Sequence, residues 1–278
     1  MSVSCIHERV FALPDITNKE LTGVMLRDFS KERFDIVIQA GQSNAEGYGF
    51  GPAKDPYVPD GRVFYLNPDL SVSLACEAVS GNDIQTNFSL SFAREYIKAG
   101  RLDDGRKLLI LRCAVGGTGF LDRRWGMTDD LYLAMMDMIR AALALNEENR
   151  LIALLWHQGE ADAVNGASFE VHYNHLMNLV RSVRDTFHAQ DLPFVAGDFV
   201  WDWKSKNMGI CTPVVDAIRA VCRECRYSGF AESEGLLSNA QALSYYPLGW
   251  YDDIHFTREA VYELGVRYFE QYMSIVSV

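Results

Sequence analysis

Residues 34–44 have the sequence FDIVIQAGQSN, in which an apolar run ends abruptly at a serine. The segment from Phe34 to Ala40 is short and contains β-branched residues, which predicts a buried strand of a parallel sheet. Gly41 breaks that strand, so Ser43 is expected just beyond its carboxyl end, where ligands bind in open α/β sheets. A serine there can be a nucleophile if a base lies beside it. Because Gly, Ser and Asn are also ordinary turn residues, this stretch alone is better explained as a structural turn.

Strands alternate with helices along the rest of the chain. This alternation predicts an α/β protein in which a parallel sheet has helices on both faces. Apolar runs and turn residues place further strands at 62–66, 107–114, 151–156, 193–200 and 226–230. Apolar residues at helical spacing, with Thr128, Ser168 and Thr257 as candidate N-caps, place helices at 88–99, 129–145, 168–188 and 212–224, and after 257.

The composition favours one large domain. The chain has 278 residues, 49% of them hydrophobic, and no linker-like, repetitive or low-complexity segment divides it. We therefore expect a lead-in over residues 1–33, packed on the edge of the sheet, and a single domain over 34–278. The net charge of −11 repels phosphate backbones and anionic membranes, so neither nucleic acid nor a membrane is expected as a partner.

The N-terminus and the cysteines both bear on the compartment. The first residues lack the basic and apolar regions of a signal peptide, which predicts a cytoplasmic protein unless a signal has been removed. The six cysteines are scattered through a chain large enough not to need disulfides, so reduced thiols are expected. Cys222 and Cys225 have redox-motif spacing, but they fall late in a predicted helix, where a thiolate gains little stabilisation.

Parallel strands bring several polar residues to one edge of the predicted sheet. Ser43, the Gly116-Gly117 turn and Gln158 each follow a strand, so all three are expected at its carboxyl edge. His255 precedes a helix and is the candidate base. Asp252 lies three residues earlier, where a tight loop can fold its carboxylate onto the imidazole and fix the tautomer. Adjacent side chains in a loop diverge, which favours Asp252 over Asp253 as the orienting acid.

Serine chemistry also needs hydrogen-bond donors for an oxyanion. The Ser43 backbone N–H is available at the turn, and a glycine amide from Gly116 or Gly117 can approach closely because glycine has no Cβ. The side-chain amide of Gln158 is a third candidate donor. Each such donor typically lowers the barrier by about 3 kcal/mol.

Four sequence blocks in this order resemble those of the SGNH (GDSL-like) hydrolases: GQSN at 41–44, GGT at 116–118, QGEAD at 158–162 and DDIHF at 252–256. The chain is most similar to the branch that holds the sialate O-acetylesterases and the family-six acetylxylan esterases. Each block alone is weakly specific, but the ordered set spans about residues 34–275. The wider superfamily has an asparagine donor in a Gly-x-Asn-Asp block, and Gln158 stands in its place here.

This resemblance implies a flavodoxin-like α/β/α sandwich with a five-stranded parallel sheet, and hydrolysis of O-acetyl groups on carbohydrates without a metal or other cofactor. It implies Ser43 as nucleophile, His255 as base and Asp252 as its orienting acid. Ser43, Gly116 or Gly117, and Gln158 would form the oxyanion hole. Acetylated xylan-type oligosaccharides and O-acetylated sialic acid are the expected substrates. Three further residues are expected to support the site or to contact the sugar: Asn44, Glu160 and Trp250.

Two other functions stay open at this stage. A metal-dependent hydrolase could use His172 with His175, or His157 with Glu160, although no third ligand is evident and His172 and His175 are expected to face solvent. A carbohydrate-binding protein without catalysis would keep the sheet and the aromatic residues, but would not need the serine, histidine and aspartate together. The sequence does not predict an oligomeric state.

Overall fold

A computed structural model describes residues 28–80, 83–242 and 251–277. Most of the expected lead-in over residues 1–33 therefore lies outside the described part. In the described part the strands are β1 (Arg33–Gly41), β2 (Val63–Leu66), β3 (Val72–Leu74), β4 (Ala78–Ser80), β5 (Asp83–Gln85), β6 (Arg106–Arg112), β7 (Arg150–His157), β8 (Phe194–Gly197) and β9 (Ser228–Ala231). The helices are α1 (Ser43–Glu46), α2 (Phe88–Lys98), α3 (Asp130–Ala144), α4 (Glu160–Val164), α5 (Phe169–Thr186), α6 (Trp201–Lys206), α7 (Met208–Glu224) and α8 (Arg258–Val276).

Strand β1 lies in the middle of a mostly parallel sheet with the order β3-β2-β6-β1-β7-β8-β9. It pairs in parallel with β6 on one side and with β7 on the other. The predicted α/β sheet is thus confirmed, but it is larger than the five strands expected. Six strands run parallel, and the short β3 adds an antiparallel edge beside β2. The sequence did not predict β3, because it has only three residues and lies between turns.

The two faces of the sheet carry separate apolar cores. Ile36 and Ile38 of β1 pack on one side with residues of α3, α5 and α7. Val37 points to the opposite side, where α2 and α8 cover the sheet. Both faces are therefore buried, which explains why the strands are continuous apolar runs and not alternating patterns. Each fully buried aliphatic side chain contributes roughly 1.5–3 kcal/mol to folding.

The helix starts follow the predicted caps in two cases. The Ser168 side chain accepts the Val171 N–H at the start of α5, and the Thr257 side chain accepts the Ala260 N–H at the start of α8. The cap predicted at Thr128 is wrong, because α3 begins one residue later, after Asp129. No helix among the described residues is long and apolar enough to cross a membrane.

A buried charge cluster lies at the amino end of β1, opposite the end that carries Ser43. Asp35 is fully buried, and its carboxylate accepts hydrogen bonds from Arg106 at 2.6 Å, from Arg150 at 2.7 Å and from the Tyr96 hydroxyl at 2.9 Å. A buried carboxylate without such partners would cost several kcal/mol. The cluster therefore belongs to the scaffold and not to the edge that binds ligand.

Candidate active site

The turn after β1 places Ser43 at the carboxyl edge of the sheet. Gly41 has φ +129°, and a Cβ there would lie 2.1 Å from the His157 carbonyl oxygen of β7. The next residue, Gln42, donates its backbone N–H to the same carbonyl at 2.9 Å. Only glycine permits this approach, and the chain then turns so that Ser43 becomes the first residue of α1. The serine is 6% exposed.

The His255 imidazole lies within hydrogen-bond distance of both Ser43 and Asp252. The Ser43 Oγ is 2.8 Å from the His255 Nε2. The His255 Nδ1 is 2.8 Å from the Asp252 Oδ1, which also accepts the backbone N–H of His255 at 3.2 Å. An ionised carboxylate can only accept hydrogen bonds, so Nδ1 carries the proton and Nε2 is left as an acceptor for the serine hydroxyl.

Asp252 and its neighbour Asp253 have different partners. Burial raises the pKa of the Asp252 carboxyl, but hydrogen bonds from His255 and Asn239 outweigh burial, so the pKa lies below its usual value. Asp252 is therefore ionised at neutral pH. Asp253 points elsewhere and accepts a hydrogen bond from the Lys206 ammonium at 2.9 Å. Of these two carboxylates, it is Asp252 that contacts the imidazole.

Asn44 ties the nucleophile turn to the loop that carries His255. Its side-chain nitrogen donates to the Ile254 carbonyl at 3.0 Å, and its oxygen accepts the Phe256 N–H at 3.3 Å. The same nitrogen donates to the Glu160 carboxyl at 2.8 Å, which fixes the orientation of the amide. Burial raises the pKa of Glu160. Asn44 thus clamps the backbone on both sides of His255, and Glu160 holds the clamp.

Two further residues contact the acid and the base, and no motif in the sequence marks them. The Tyr48 ring stacks on the His255 imidazole with the ring centroids 4.8 Å apart. The Asn239 side chain donates to the Asp252 Oδ2 at 2.8 Å and to the Tyr48 carbonyl at 2.9 Å. Their pairings join segments far apart in sequence, so the signal exists only in the folded chain.

Gln158, expected as an oxyanion donor, follows β7 and is fully buried. Its side-chain nitrogen donates to the Asp162 Oδ2 at 2.9 Å, which leaves the second N–H of the amide free to serve another acceptor. A Cβ on Gly119 would lie only 3.1 Å from that nitrogen, so the glycine-rich loop after β6 passes directly over the Gln158 amide. Gln158 and the loop therefore meet at the same edge as Ser43.

Asp162 connects that loop to α4. Its two carboxylate oxygens accept the Phe120 N–H at 3.1 Å and the Leu121 N–H at 2.9 Å, in addition to Gln158. The His172 Nδ1 approaches it to 3.2 Å. Burial raises the pKa of Asp162, but hydrogen bonds from His172 and the two backbone amides outweigh burial and hold the pKa below its usual value.

The glycine pair after β6 has one amide engaged and one open. The Gly116 N–H donates to the Glu46 carboxylate at 2.7 Å. Gly117 is exposed, with φ +71°, and no acceptor for its N–H is found among the described residues. The two glycines that the sequence could not distinguish therefore differ in whether their amides are free.

The four residues of the metal hypothesis differ in burial, and His157 and Glu160 lie 3.8 Å apart, both fully buried. His172 is fully buried beside Asp162, so its predicted solvent exposure is wrong, whereas His175 is exposed. His172 lies on the buried side of α5, and its Nδ1 is 3.2 Å from the Asp162 carboxylate. Burial also lowers the pKa of His157 to about 3. Among residues 28–80, 83–242 and 251–277, no group of three or more His, Cys, Asp or Glu side chains could hold a metal ion.

Trp250, expected at the substrate, lies outside the described residues. Two other aromatic side chains are exposed near the base-carrying loop. Tyr251 directly precedes Asp252 and is 65% exposed, and Trp201 at the start of α6 is 53% exposed. Lys206 of the same helix lies 3.1 Å from the Tyr251 hydroxyl. The Tyr251 ring provides an exposed apolar face next to Asp252.

Comparison with known proteins gives a family for this arrangement. Residues 33–274 match the model of the family described as carbohydrate esterase, sialic acid-specific acetylesterase. The chain belongs to this family. It is therefore a carbohydrate esterase, and the expected similarity to the sialate O-acetylesterase branch is confirmed.

Relatives of this carbohydrate esterase are found in bacteria and plants. A protein of Escherichia coli (strain K12), named probable 9-O-acetyl-N-acetylneuraminic acid deacetylase, is 32% identical over 229 residues, which are 63% of this chain and 70% of the relative. A probable carbohydrate esterase of Arabidopsis thaliana is 23% identical over 264 residues, 86% of this chain and 90% of the relative. The crystal structure of NanS has the same fold, with a TM-score of 0.72 at 21% identity over 89% of this chain and 99% of NanS.

Proposed function

We propose that this esterase removes O-acetyl groups from sugars through an acetyl-enzyme formed on Ser43. The observation that carries the proposal is the relay of two 2.8 Å contacts, from the Ser43 Oγ to the His255 Nε2 and from the His255 Nδ1 to Asp252. A protein that only binds carbohydrate has no need of a nucleophile, a base and an orienting acid at these distances.

In the proposed mechanism the Ser43 oxygen attacks the acetyl carbonyl carbon while the His255 Nε2 takes the hydroxyl proton. Asp252 stabilises the imidazolium that forms and does not itself take the proton. The tetrahedral intermediate then expels the sugar oxygen, which receives the proton from His255, and the acetyl group stays on the serine. Water activated by the neutral imidazole attacks the acetyl-enzyme and releases acetate.

The negative oxygen of the tetrahedral intermediate needs donors that are in place before the reaction. The proposed set is the Ser43 N–H, a glycine N–H from the loop after β6, and the Gln158 side-chain amide. Ser43 is the first residue of α1, and no acceptor for its N–H is found among the described residues. Removing one such donor typically lowers kcat about 10²–10³-fold.

O-acetylated sialic acid is the substrate that we propose to test first, because the family description and the name of the E. coli relative both refer to it. Acetylated xylan-type oligosaccharides are the alternative. Their neutrality makes them indifferent to the net charge of −11 on the protein, whereas a sialate carboxylate is repelled by it. The two substrates therefore also differ in how their turnover should respond to salt.

The test is acetate release from both substrates by the wild type, by Ser43→Ala and by Ser274→Ala. Ser274 is exposed near the end of α8, so its variant controls for the substitution itself. Release that disappears only in Ser43→Ala would support the proposed serine esterase, and full turnover by Ser43→Ala would refute it. Labelling of Ser43 by an organophosphate without acetate release would mean that Ser43 is an active nucleophile but that the enzyme acts on a different acetylated sugar. A chelator that abolishes release would favour the metal-dependent alternative.

A further inference from the structure

Glu46 lies one helical turn after Ser43 and reaches across to the glycine-rich loop. Its carboxylate oxygen Oε2 accepts the Gly116 N–H at 2.7 Å, a short, charge-assisted hydrogen bond. Glu46 is partly buried, and α1, which carries it, follows directly from the glycine turn of β1. The residue thus joins the nucleophile helix to the loop that carries the candidate glycine donors.

Glu46, Gly116 and Ser43 are in mutual contact range. A Cβ built on Gly116 would lie 3.1 Å from the Glu46 Oε2, 3.6 Å from the Ser43 Cβ and 3.8 Å from the Ser43 Cα. The first of these distances is tighter than an ordinary van der Waals contact. Gly116 therefore lies between the Glu46 carboxylate and the nucleophile.

Most backbone N–H groups of the glycine-rich loop after β6 donate to an identified acceptor. The Val115 N–H donates to the Gly41 carbonyl at 3.0 Å, the Gly116 N–H to Glu46, and the Gly119 N–H to the Asp122 side chain at 2.9 Å. Further along, Phe120 and Leu121 donate to Asp162. Among the described residues this leaves the amides of Gly117 and Thr118 without an acceptor, and of these two residues only Gly117 is exposed.

We propose that Glu46 is a positioning residue for the oxyanion hole and that Gly117, not Gly116, supplies the glycine amide that meets the oxyanion. The Glu46 carboxylate occupies the Gly116 N–H and holds the loop against Ser43, so the next amide is presented to the site. This inference rests on the proposed serine esterase activity and names the donor that the sequence left undecided.

Changing the charge of Glu46 distinguishes a positioning role from an electrostatic role. A carboxylate beside a developing oxyanion opposes the reaction, because negative charge there destabilises the transition state. What helps catalysis is the hydrogen bond to Gly116, not the charge. A glutamine in this position keeps an acceptor for the Gly116 N–H and removes the charge. An aspartate keeps the charge and withdraws the carboxylate by one carbon.

The experiment measures kcat and KM for 4-nitrophenyl acetate in the wild type, Glu46→Gln, Glu46→Asp and Glu46→Ala. Glu263→Ala is the control, because Glu263 is a surface residue of α8 paired with Arg267. We expect Glu46→Asp and Glu46→Ala to lose about tenfold to a hundredfold in kcat with little change in KM, because the donor is displaced. Glu46→Gln should keep or exceed the wild-type kcat, and Glu263→Ala should match the wild type.

Opposite results would overturn the proposal. A wild-type kcat in Glu46→Ala would show that the hydrogen bond from Gly116 to Glu46 does not contribute to catalysis. A low kcat in Glu46→Gln together with a wild-type kcat in Glu46→Asp would show the same. A raised KM with unchanged kcat would make Glu46 a substrate-binding residue instead. A wild type without Ser43-dependent turnover would refute the proposed function itself, which is a distinct outcome.

A double-mutant cycle tests the contact directly. In the wild-type background Gly116→Ala pushes against Glu46, so kcat should fall. With alanine at position 46 that clash is gone, and the remaining distances to Ser43 are ordinary contacts. The double variant should therefore be no worse than Glu46→Ala alone. Additive losses would show that Gly116 and Glu46 are not coupled and would overturn the proposal.

Discussion

The Asp252→Asn substitution places a hydrogen-bond donor where the structure has donors on every side. If the new amide turns its oxygen to His255, its NH2 faces the Asn239 side-chain nitrogen, which lies 2.8 Å from the present carboxylate. Asn239 cannot reverse without loss, because it also donates to the Tyr48 carbonyl and accepts the Phe50 N–H. If the amide turns its NH2 to His255, the imidazole proton must move to Nε2, which then cannot accept from Ser43.

Both orientations weaken catalysis by an amount that the geometry sets. The imidazolium and the carboxylate have charge centres about 4 Å apart, which at an effective dielectric constant of about 20 corresponds to about 4 kcal/mol of attraction. The substitution removes this attraction from the transition state. Since about 1.4 kcal/mol is a factor of ten, the loss is about 10³-fold. The unfavourable tautomer extends the expected range to about 10⁴-fold, as for the same substitution in other serine hydrolases.

The assay is kcat/KM for 4-nitrophenyl acetate hydrolysis at neutral pH, with Asp253→Asn as the matched control. Asp253 pairs with Lys206 and does not contact the imidazole, so its variant should stay within about threefold of the wild type, as expected for a surface charge pair. A loss of less than about tenfold in Asp252→Asn, or an equal loss in Asp253→Asn, would refute the assignment of Asp252 as the orienting acid.

Three further predictions concern the scaffold. Gly41→Ala should destabilise the protein by about 4 kcal/mol or more, since its Cβ meets backbone atoms of β7, and an unchanged Tm would contradict this. Burial lowers the pKa of His157 to about 3, so below about pH 6.5 the unfolded state binds a proton on this imidazole that the folded state does not bind. The free energy of unfolding should therefore decrease as the pH is lowered, by up to about 1.4 kcal/mol per pH unit. Urea unfolding between about pH 7 and about pH 5 should show that the unfolding free energy of His157→Gln decreases less steeply than that of the wild type. Equal slopes for the two proteins would contradict the prediction. Asp35→Asn should cost about 3–5 kcal/mol by leaving buried guanidinium charge unpaired, with little effect on kcat of the folded fraction; near-wild-type urea stability would contradict it.

The parts that sequence reasoning predicted well depend on local patterns. The apolar run of β1, the cap at Thr257 and the order of strands and helices follow from periodicity and from the chemistry of single residues. Parallel strand order then brought Ser43 and the glycine turn to one edge. Such inferences need no knowledge of which side chains meet, because the sheet topology aligns every strand end at one edge.

The errors and omissions concern features that local sequence patterns do not record. His172 was expected to face solvent, yet it is fully buried, with its Nδ1 3.2 Å from the Asp162 carboxylate. Asn239 and Tyr48 were missed because their partners lie in the base-carrying loop and not beside them in sequence. Edge strand β3 was not predicted, because three residues are too few to show an alternation of apolar and polar side chains. Contacts between distant segments place His172, Asn239 and Tyr48, whereas β3 is too short to give a local signal.

The sequence by itself determined the fold class, the serine after β1 and the aspartate three residues before the histidine, because strand burial, turn chemistry and loop spacing are properties of neighbouring residues. Only the tertiary structure decided that Asn44 clamps the loop around His255, and that Glu46 occupies one glycine amide and leaves the next open. These outcomes depend on hydrogen bonds between segments brought together by the sheet, and their directions are set by side-chain geometry that no local pattern records.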